Sequence, residues 1–296
     1  YIKSKNALFI FLADLLVPRI YTSKEDILKS RELYYNSLLN MYNNIPNDII
    51  VHSKEMFCDY LQFIYCYGFP LSYQGYNNKE ILCLQCSLYR KIFPNLNYTS
   101  KYIKQISLNN KIKIGFISTN FFNQSVSRDR MGIIRNLPRE IFDVVVFFYF
   151  KPSDDLGNFI WDSNNTNIVL PDSNIFERRT IIEEQKLHIL VYCDIGMAPD
   201  TYFLAYSRLA LIQCNTWGHS DTSGIDTIDY YISSSYYEKE DAQNNYSEKL
   251  VLLDSLCTYY YKIIENPVLS SKNYFGYSSN VNIYLSSQVL FKLNPE

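Results

Sequence analysis

Five short runs of apolar residues, too brief for helices and rich in β-branched and aromatic side chains, follow one another along the middle of the chain. They are KIKIGFIS (111–118), DVVVFFYF (143–150), TNIVL (166–170), HILVYC (188–193) and LALIQC (209–214). Stretches of helical character separate them: MGIIRNL (131–137), a charged segment over 174–186, and 199–208. A strand that is apolar on both faces needs cover on both faces, and intervening helices supply it, so the pattern predicts an α/β fold with a parallel, doubly wound sheet. In such sheets ligands sit at the carboxyl ends of the strands. A last run, NVNIYL (280–285), follows a connection containing proline and serine and reads as the first strand of a second α/β unit.

Before residue 107 the texture is helical. Ser23 and Asp26 form a capping pair, after which Ile27, Tyr34, Leu38 and Met41 recur at helical spacing. Further helices are expected over 52–67 and 78–92, joined by the turn-forming GFPLSYQGYNN. The apolar ALFIFLADLLV (7–17) is interrupted by Asp14 and too short to cross a bilayer, so it reads as a buried helix. The expected organisation is a helical segment over 1–106, a first Rossmann-like lobe over 107–256, a connection over 257–279, and the first strand and helix start of a second lobe over 280–296. No signal peptide is visible, and the first residue is not Met, so trimming is expected.

Charge narrows the function. With 28 basic and 30 acidic residues the formal net charge is -2, which argues against binding nucleic acid or a membrane surface by a positive face. The 28 tyrosines and 18 phenylalanines come with abundant Asn, Ile and Lys, a mixture that A/T-rich codon usage explains. They read as core and rim rather than base-stacking platforms. Seven scattered cysteines without framework spacing point to a reducing, cytoplasmic compartment, and the lone pair Cys83 and Cys86 has no second pair at zinc-site spacing. The glycosylation sequon at Asn97 is expected by chance in so Asn-rich a chain.

The loop after LALIQC, WGHSDTSGIDTIDYY (217–231), concentrates polar chemistry at a strand's carboxyl end. His219, Ser220 and Asp221 are too close in sequence to form a hydrolytic relay. Two readings stay open: a satisfied turn, or a sharp bend at Gly218 and Gly224 that lets His219, Thr222 and Ser223 present donors to a phosphate or sugar. The turn after IKIGFIS has no G-x-G-x-x-G, the chain has no P-loop, and no D-x-D pattern offers a divalent ion to a diphosphate. His188 opens a buried strand, the usual place of a structural histidine.

Several segments together resemble a known family. DIGM (194–197), YFLAYSRLALIQCNTWGHSDTSGIDTIDYYISSSYYE (202–238) and YSEKLVLLDSL (246–256) resemble the SPINDLY-like branch of the O-linked N-acetylglucosamine transferase family. KIKIGFISTNFFNQSVSRDRMGIIRNLPREIFDVVVFF resembles that family's first strand, loop and helix, LLVPRIYTSKEDILKSRELYYNSL and PLSYQGYNNKEI its preceding helical segment, and YLSSQVLFKLNPE the opening of its second lobe.

The resemblance implies a two-lobed GT-B glycosyltransferase that moves a sugar from a nucleotide diphosphate to a protein Ser or Thr hydroxyl, with inversion and without a metal. It needs no resident cofactor, since the nucleotide sugar is a substrate. UDP-GlcNAc is the leading donor and GDP-fucose an alternative; a protein or peptide is the acceptor. By resemblance Lys292 contacts the diphosphate, Gln288 lies one helical turn before it, and Phe291 stands where some relatives have tyrosine. His219, Thr222, Ser223 and Gly224 match a cleft-facing loop, and His188 matches a histidine of animal relatives. Where relatives carry an aspartate and then a histidine after the first strand, this chain has Asn120 and Gln124. Glutamine cannot exchange a proton, so a catalytically inactive interaction module is the rival reading, and an unrelated nucleotide-sugar enzyme of the same architecture a third. Most of the second lobe is expected to lie beyond Glu296, and any tetratricopeptide array before residue 1.

Overall fold

The computed structural model describes residues 8, 12–13, 15–61, 68–107, 111–172, 174–262, 272–278, 280–293 and 295. Its centre is a seven-stranded parallel sheet. The strands are β2 (Ile112–Ile117), β3 (Phe142–Phe148), β4 (Thr166–Val169), β5 (Ile189–Tyr192), β7 (Ile212–Thr216), β8 (Tyr230–Ser234) and β9 (Lys249–Leu253). They lie in the order β4-β3-β2-β5-β7-β8-β9, and a two-stranded parallel pair, β1 (Tyr98–Thr99) with β6 (Ser207–Arg208), stands apart.

The alternation of side chains along each strand explains why both faces are covered. Ile114, Phe116, Val144, Val146, Phe148 and Val191 point to one side, where they pack with Val126, Met131, Ile134 and Ile160. Those partners belong to the helices α4 (Ser125–Asn136) and α5 (Asp155–Trp161). Ile117, Val145, Phe147, Leu190 and Tyr192 point to the other side. There they meet α6 (Ile175–Glu184), α7 (Pro199–Leu204) and the amino-terminal helices α1 (Lys24–Asn43), α2 (Lys54–Leu61) and α3 (Lys79–Ile92) in one continuous apolar cluster. Phe57 touches Phe203 at 6.0 Å between ring centroids, and Tyr89 lies 5.5 Å from the same ring. The helical segment and the lobe therefore share a core, although their sequence textures differ.

Local signals set the helix starts. Ser23 caps α1 by accepting the Asp26 N–H at 3.2 Å, as its spacing predicts. Of the buried helix expected over 7–17, the described residues Leu8, Leu12 and Leu15 are buried and the rest lies mostly outside the described residues.

Three strand expectations change. The run LALIQC does not become a strand as a whole: β7 begins at Ile212, because Leu209 and Ala210 are buried in a turn whose Leu209 N–H is taken by the Gln213 side chain at 2.7 Å. β8 and β9, not foreseen as strands, extend the sheet past β7; their serines and half-exposed edge dilute the apolar signal. Residues 280–285, expected to open a second unit, form no strand and are exposed, with no neighbouring strand to pair with among the described residues. No described helix is long and apolar enough to cross a membrane.

Candidate functional site

The chain lays down β2, β3 and β4 toward one edge of the sheet, then returns to place β5 beside β2 and continues toward the other edge. Connections leave β2 and β5 in opposite directions, so a crevice opens between their carboxyl ends, the general ligand position of this architecture. Asp194, two residues beyond β5, lies at its floor and is fully buried. Its Oδ2 accepts hydrogen bonds from Ser118 Oγ at 2.7 Å, Thr119 N at 3.2 Å, Thr119 Oγ1 at 3.1 Å and Asn120 Nδ2 at 2.7 Å. Its Oδ1 is buried with no partner among the described residues. Burial pushes the Asp194 carboxyl pKa up, against the opposing pull of those four donors.

Asn120 is thus bound by its amide nitrogen to the floor of the crevice. Its N–H donates to Ser118 Oγ at 2.8 Å and its carbonyl accepts from Ser127 Oγ at 2.9 Å. Gln124 caps α4: its side-chain oxygen accepts the Val126 N–H at 2.6 Å, a task for which glutamine is an uncommon choice. The loop in which Asn120 and Gln124 replace the relatives' aspartate and histidine therefore holds hydrogen-bonding groups fixed by local structure.

The loop after β7 forms the next wall. Gly218 is required there, because a Cβ at that position would fall 1.8 Å from the Cys193 carbonyl oxygen. His219 follows, buried, with its ring stacked on Phe69 at 5.0 Å and 19°. Ser72 donates its hydroxyl to Asp221 Oδ2 at 2.7 Å, so its oxygen is left to accept from His219 Nε2, 3.0 Å away. Asn78 Nδ2 also donates to Asp221, at 2.7 Å. His219 is accordingly a neutral imidazole carrying its proton on Nε2. Burial, and secondarily the Lys292 charge, lower its pKa to about 4. Asp221 is shifted upward by burial. The His219, Ser220, Asp221 triad is absent as expected, since Ser220 is exposed, and the hydroxyl that joins the other two comes from Ser72. That hydroxyl is spent on a carboxylate, so it is no activated nucleophile.

Thr222, Ser223 and Gly224 do not present donors to the opening. Thr222 Oγ1 donates to Glu248 Oε2 at 2.6 Å, Ser223 N donates to Glu248 Oε1 at 2.8 Å, and Ser223 Oγ donates to the same oxygen. Gly224 has φ +68°, and a Cβ there would meet the Leu82 carbonyl carbon of α3 at 2.4 Å. These residues lock the loop to Glu248 and α3 in place of the cleft-facing role expected for them. His188 takes the structural place that its position at the start of a buried strand predicts, and not the site role that the resemblance implies. Its Nδ1 accepts the Lys113 N–H at 2.9 Å and its Nε2 donates to the Ser107 carbonyl at 2.9 Å, at the amino end of β5, the end away from Asp194. It ties strand ends together.

Lys292, in contrast, comes to the wall that holds His219. The short turn Leu290–Lys292 packs on the turn Phe69–Tyr73, with Lys292 Nζ 5.1 Å from the Tyr73 ring centre and Phe291 edge-on to Tyr73 at 5.2 Å. Gln288 is exposed and makes no hydrogen bond among the described residues. Sequence reasoning missed Asp194, Ser72, Phe69, Tyr73 and Glu248 as parts of the site. Of these only Asp194 carried a usable signal, an acid placed directly after a continuous apolar strand. Among the described residues no group of three or more His, Cys, Asp or Glu side chains could hold a metal ion.

A family model described as glycosyl transferase family 41 matches residues 77–262, more than half of the chain and the whole of the sheet. This chain belongs to glycosyl transferase family 41. The matched span contains the crevice of this family 41 lobe and the loop after β7, while Phe69, Ser72, Tyr73 and Lys292 lie outside it. Among solved structures the chain is similar to a mutant of the O-GlcNAc transferase of Thermobaculum terrenum. The TM-score is 0.52 at 14% identity, over 79% of this chain and 42% of that one, so the likeness is one of fold. The chain spans less than half the length of that neighbour. A search of the curated proteins finds no match.

Proposed function

We propose that this lobe is the acceptor-side half of a protein glycosyltransferase of the SPINDLY-like branch, cytoplasmic, moving N-acetylglucosamine from UDP-GlcNAc to Ser or Thr hydroxyls. The observation that carries this reading is that, in a family 41 lobe, the Lys292 ammonium stands over the Tyr73 ring beside His219, on the loop that follows β7 at the carboxyl end of the sheet. In an inverting transfer the acceptor oxygen attacks the anomeric carbon from one face as the bond to the diphosphate breaks on the other. Negative charge collects on the departing diphosphate, and a cation placed there lowers the barrier. Lys292 supplies that cation without a metal. It rests on the Tyr73 ring face, a contact weak enough for a diphosphate to outbid. The neutral His219 has Nδ1 left as an acceptor for a sugar hydroxyl, since its Nε2 proton goes to Ser72.

The test is transfer from a panel of nucleotide sugars, UDP-GlcNAc and GDP-fucose included, to Ser/Thr peptides, read by mass spectrometry on the protein that carries this chain. Loss of one charge-assisted phosphate contact in Lys292→Ala lowers kcat/KM at least about tenfold. Equal activity of parent and variant removes Lys292 from the reaction. Absence of binding to every donor at millimolar concentration overturns the enzyme reading in favour of an inactive interaction module, and preferred use of GDP-fucose moves the donor assignment.

A further inference from the structure

The bonding of Asp194 is lopsided. A carboxylate has two oxygens and roughly four acceptor sites, yet all four donors of the Ser118–Asn120 turn converge on Oδ2 while Oδ1 stays buried and unpartnered among the described residues. Burying a carboxylate in this way is unfavourable to the fold, and the upward shift of its pKa reports that desolvation outweighs the hydrogen bonds. What this buried acceptor settles is the orientation of a neighbour. Asn120 Nδ2 donates to Asp194 Oδ2 at 2.7 Å and to Thr119 Oγ1 at 3.1 Å. The Asn120 amide oxygen takes no hydrogen bond among the described residues, and Asn120 is half-buried where the crevice opens. An amide is ambiguous in which end it presents; an oxygen that already accepts from Ser118 and Thr119 removes the ambiguity, because only the NH2 end can face it.

We propose that Asp194 is a positioning residue that pins the Asn120 amide with its nitrogen inward, so that the amide oxygen faces the crevice and accepts a hydroxyl of the donor sugar. This rests on the glycosyl-transfer reading of the same crevice. Asp194 touches no substrate; it acts through Asn120, and the recognised group is a sugar hydroxyl, which donates, rather than a phosphate oxygen, which cannot. Discrimination follows, since a fixed acceptor that the bound donor covers from water is left unpaired when the hydroxyl is missing or replaced.

The pair can be inverted. In Asp194→Asn the amide at 120 is free to flip and present donors. In Asn120→Asp two carboxylates oppose each other across 2.7 Å. The double exchange, Asn120→Asp with Asp194→Asn, reverses donor and acceptor across the bond and again leaves an oxygen toward the crevice. In the protein carrying this chain, each single variant raises the KM for the nucleotide sugar at least tenfold with a smaller change in kcat, and the double exchange restores it to within about threefold. The melting temperature of Asp194→Asn is unchanged or higher, an outcome opposite to that of a structural brace. A KM within twofold of the parent in Asp194→Asn, or a double exchange no better than the singles, overturns the inference. Should the parent transfer no sugar from any donor, the glycosyl-transfer reading fails separately. The pinning is then decided by hydrogen exchange of the Asn120 side-chain NH2, at least tenfold faster in Asp194→Ala, where its acceptor is gone, and unchanged if Asp194 does not hold the amide.

Discussion

Acid should loosen this fold through His219, and the size of the effect follows from its surroundings. The imidazole is 8% exposed, stacked on Phe69 and tied to Ser72, and its pKa stands at about 4 in place of the ordinary 6.5. In the unfolded chain the ring takes up a proton as the pH falls through 6.5, whereas in the fold it stays neutral until about 4. Its contribution is therefore fully present above pH 6.5 and is lost progressively as the pH falls to about 4. At about 1.4 kcal/mol per pH unit the loss reaches roughly 3 kcal/mol, a large share of the stability of an ordinary domain. Asp194 and Asp221 work in the opposite sense. Their pKa values are raised in the fold, so each favours the folded state below the ordinary 3.8 and loses that contribution as the pH rises through its folded value. The raw pH curve therefore mixes signs, and a difference measurement isolates the histidine. Urea unfolding of the parent and of His219→Gln, followed by tryptophan fluorescence at half-unit steps from pH 7.5 to 4, gives that difference. The parent should lose stability relative to the variant by about one proton's worth per pH unit between 6.5 and 4. Parallel curves would mean that His219 protonates in place, and both the burial argument and the neutral-acceptor role would be wrong.

Other outcomes follow from the same contacts. Gly224→Ala forces a side chain into a left-handed backbone position and against the α3 backbone, and should lower the urea-unfolding free energy by about 2 kcal/mol or more, since neither strain can be relieved by a rotamer change. Glu248→Gln removes the charge that gathers Thr222 and Ser223; a loss of about 1–3 kcal/mol in the same measurement is expected, and a neutral result would show that the loop is held elsewhere. His188→Leu should lose a similar amount while leaving nucleotide-sugar affinity by calorimetry unchanged, because both ring nitrogens serve strand ends remote from the crevice. A fall in affinity there would return His188 to the site.

The α/β architecture was legible because its determinants are local. Continuous apolar runs such as Val144–Phe148 announce strands covered on two sides, and the Ser23 cap announces a helix start. β8 and β9 were not legible, since Ser233, Ser234 and the exposed edge positions of β9 break the apolar pattern that marks the others. Residues 280–285 show the reverse failure. An alternating apolar run has strand propensity, but a strand exists only where a neighbouring strand takes its backbone hydrogen bonds, and none lies there among the described residues.

For the site, position could be read and partnership could not. The sequence by itself determined that polar loops at the carboxyl ends of parallel strands would face a common crevice, and the family resemblance brought His219 and Lys292 to it. Only the tertiary structure decided what each side chain does there. Ser72 meets Asp221 from 149 residues away, Glu248 takes the hydroxyls of Thr222 and Ser223, and Asp194 turns the amide of Asn120. The reason is physical: apolar periodicity is written along the chain, whereas a polar group bonds to whichever partner the fold brings within about 3 Å.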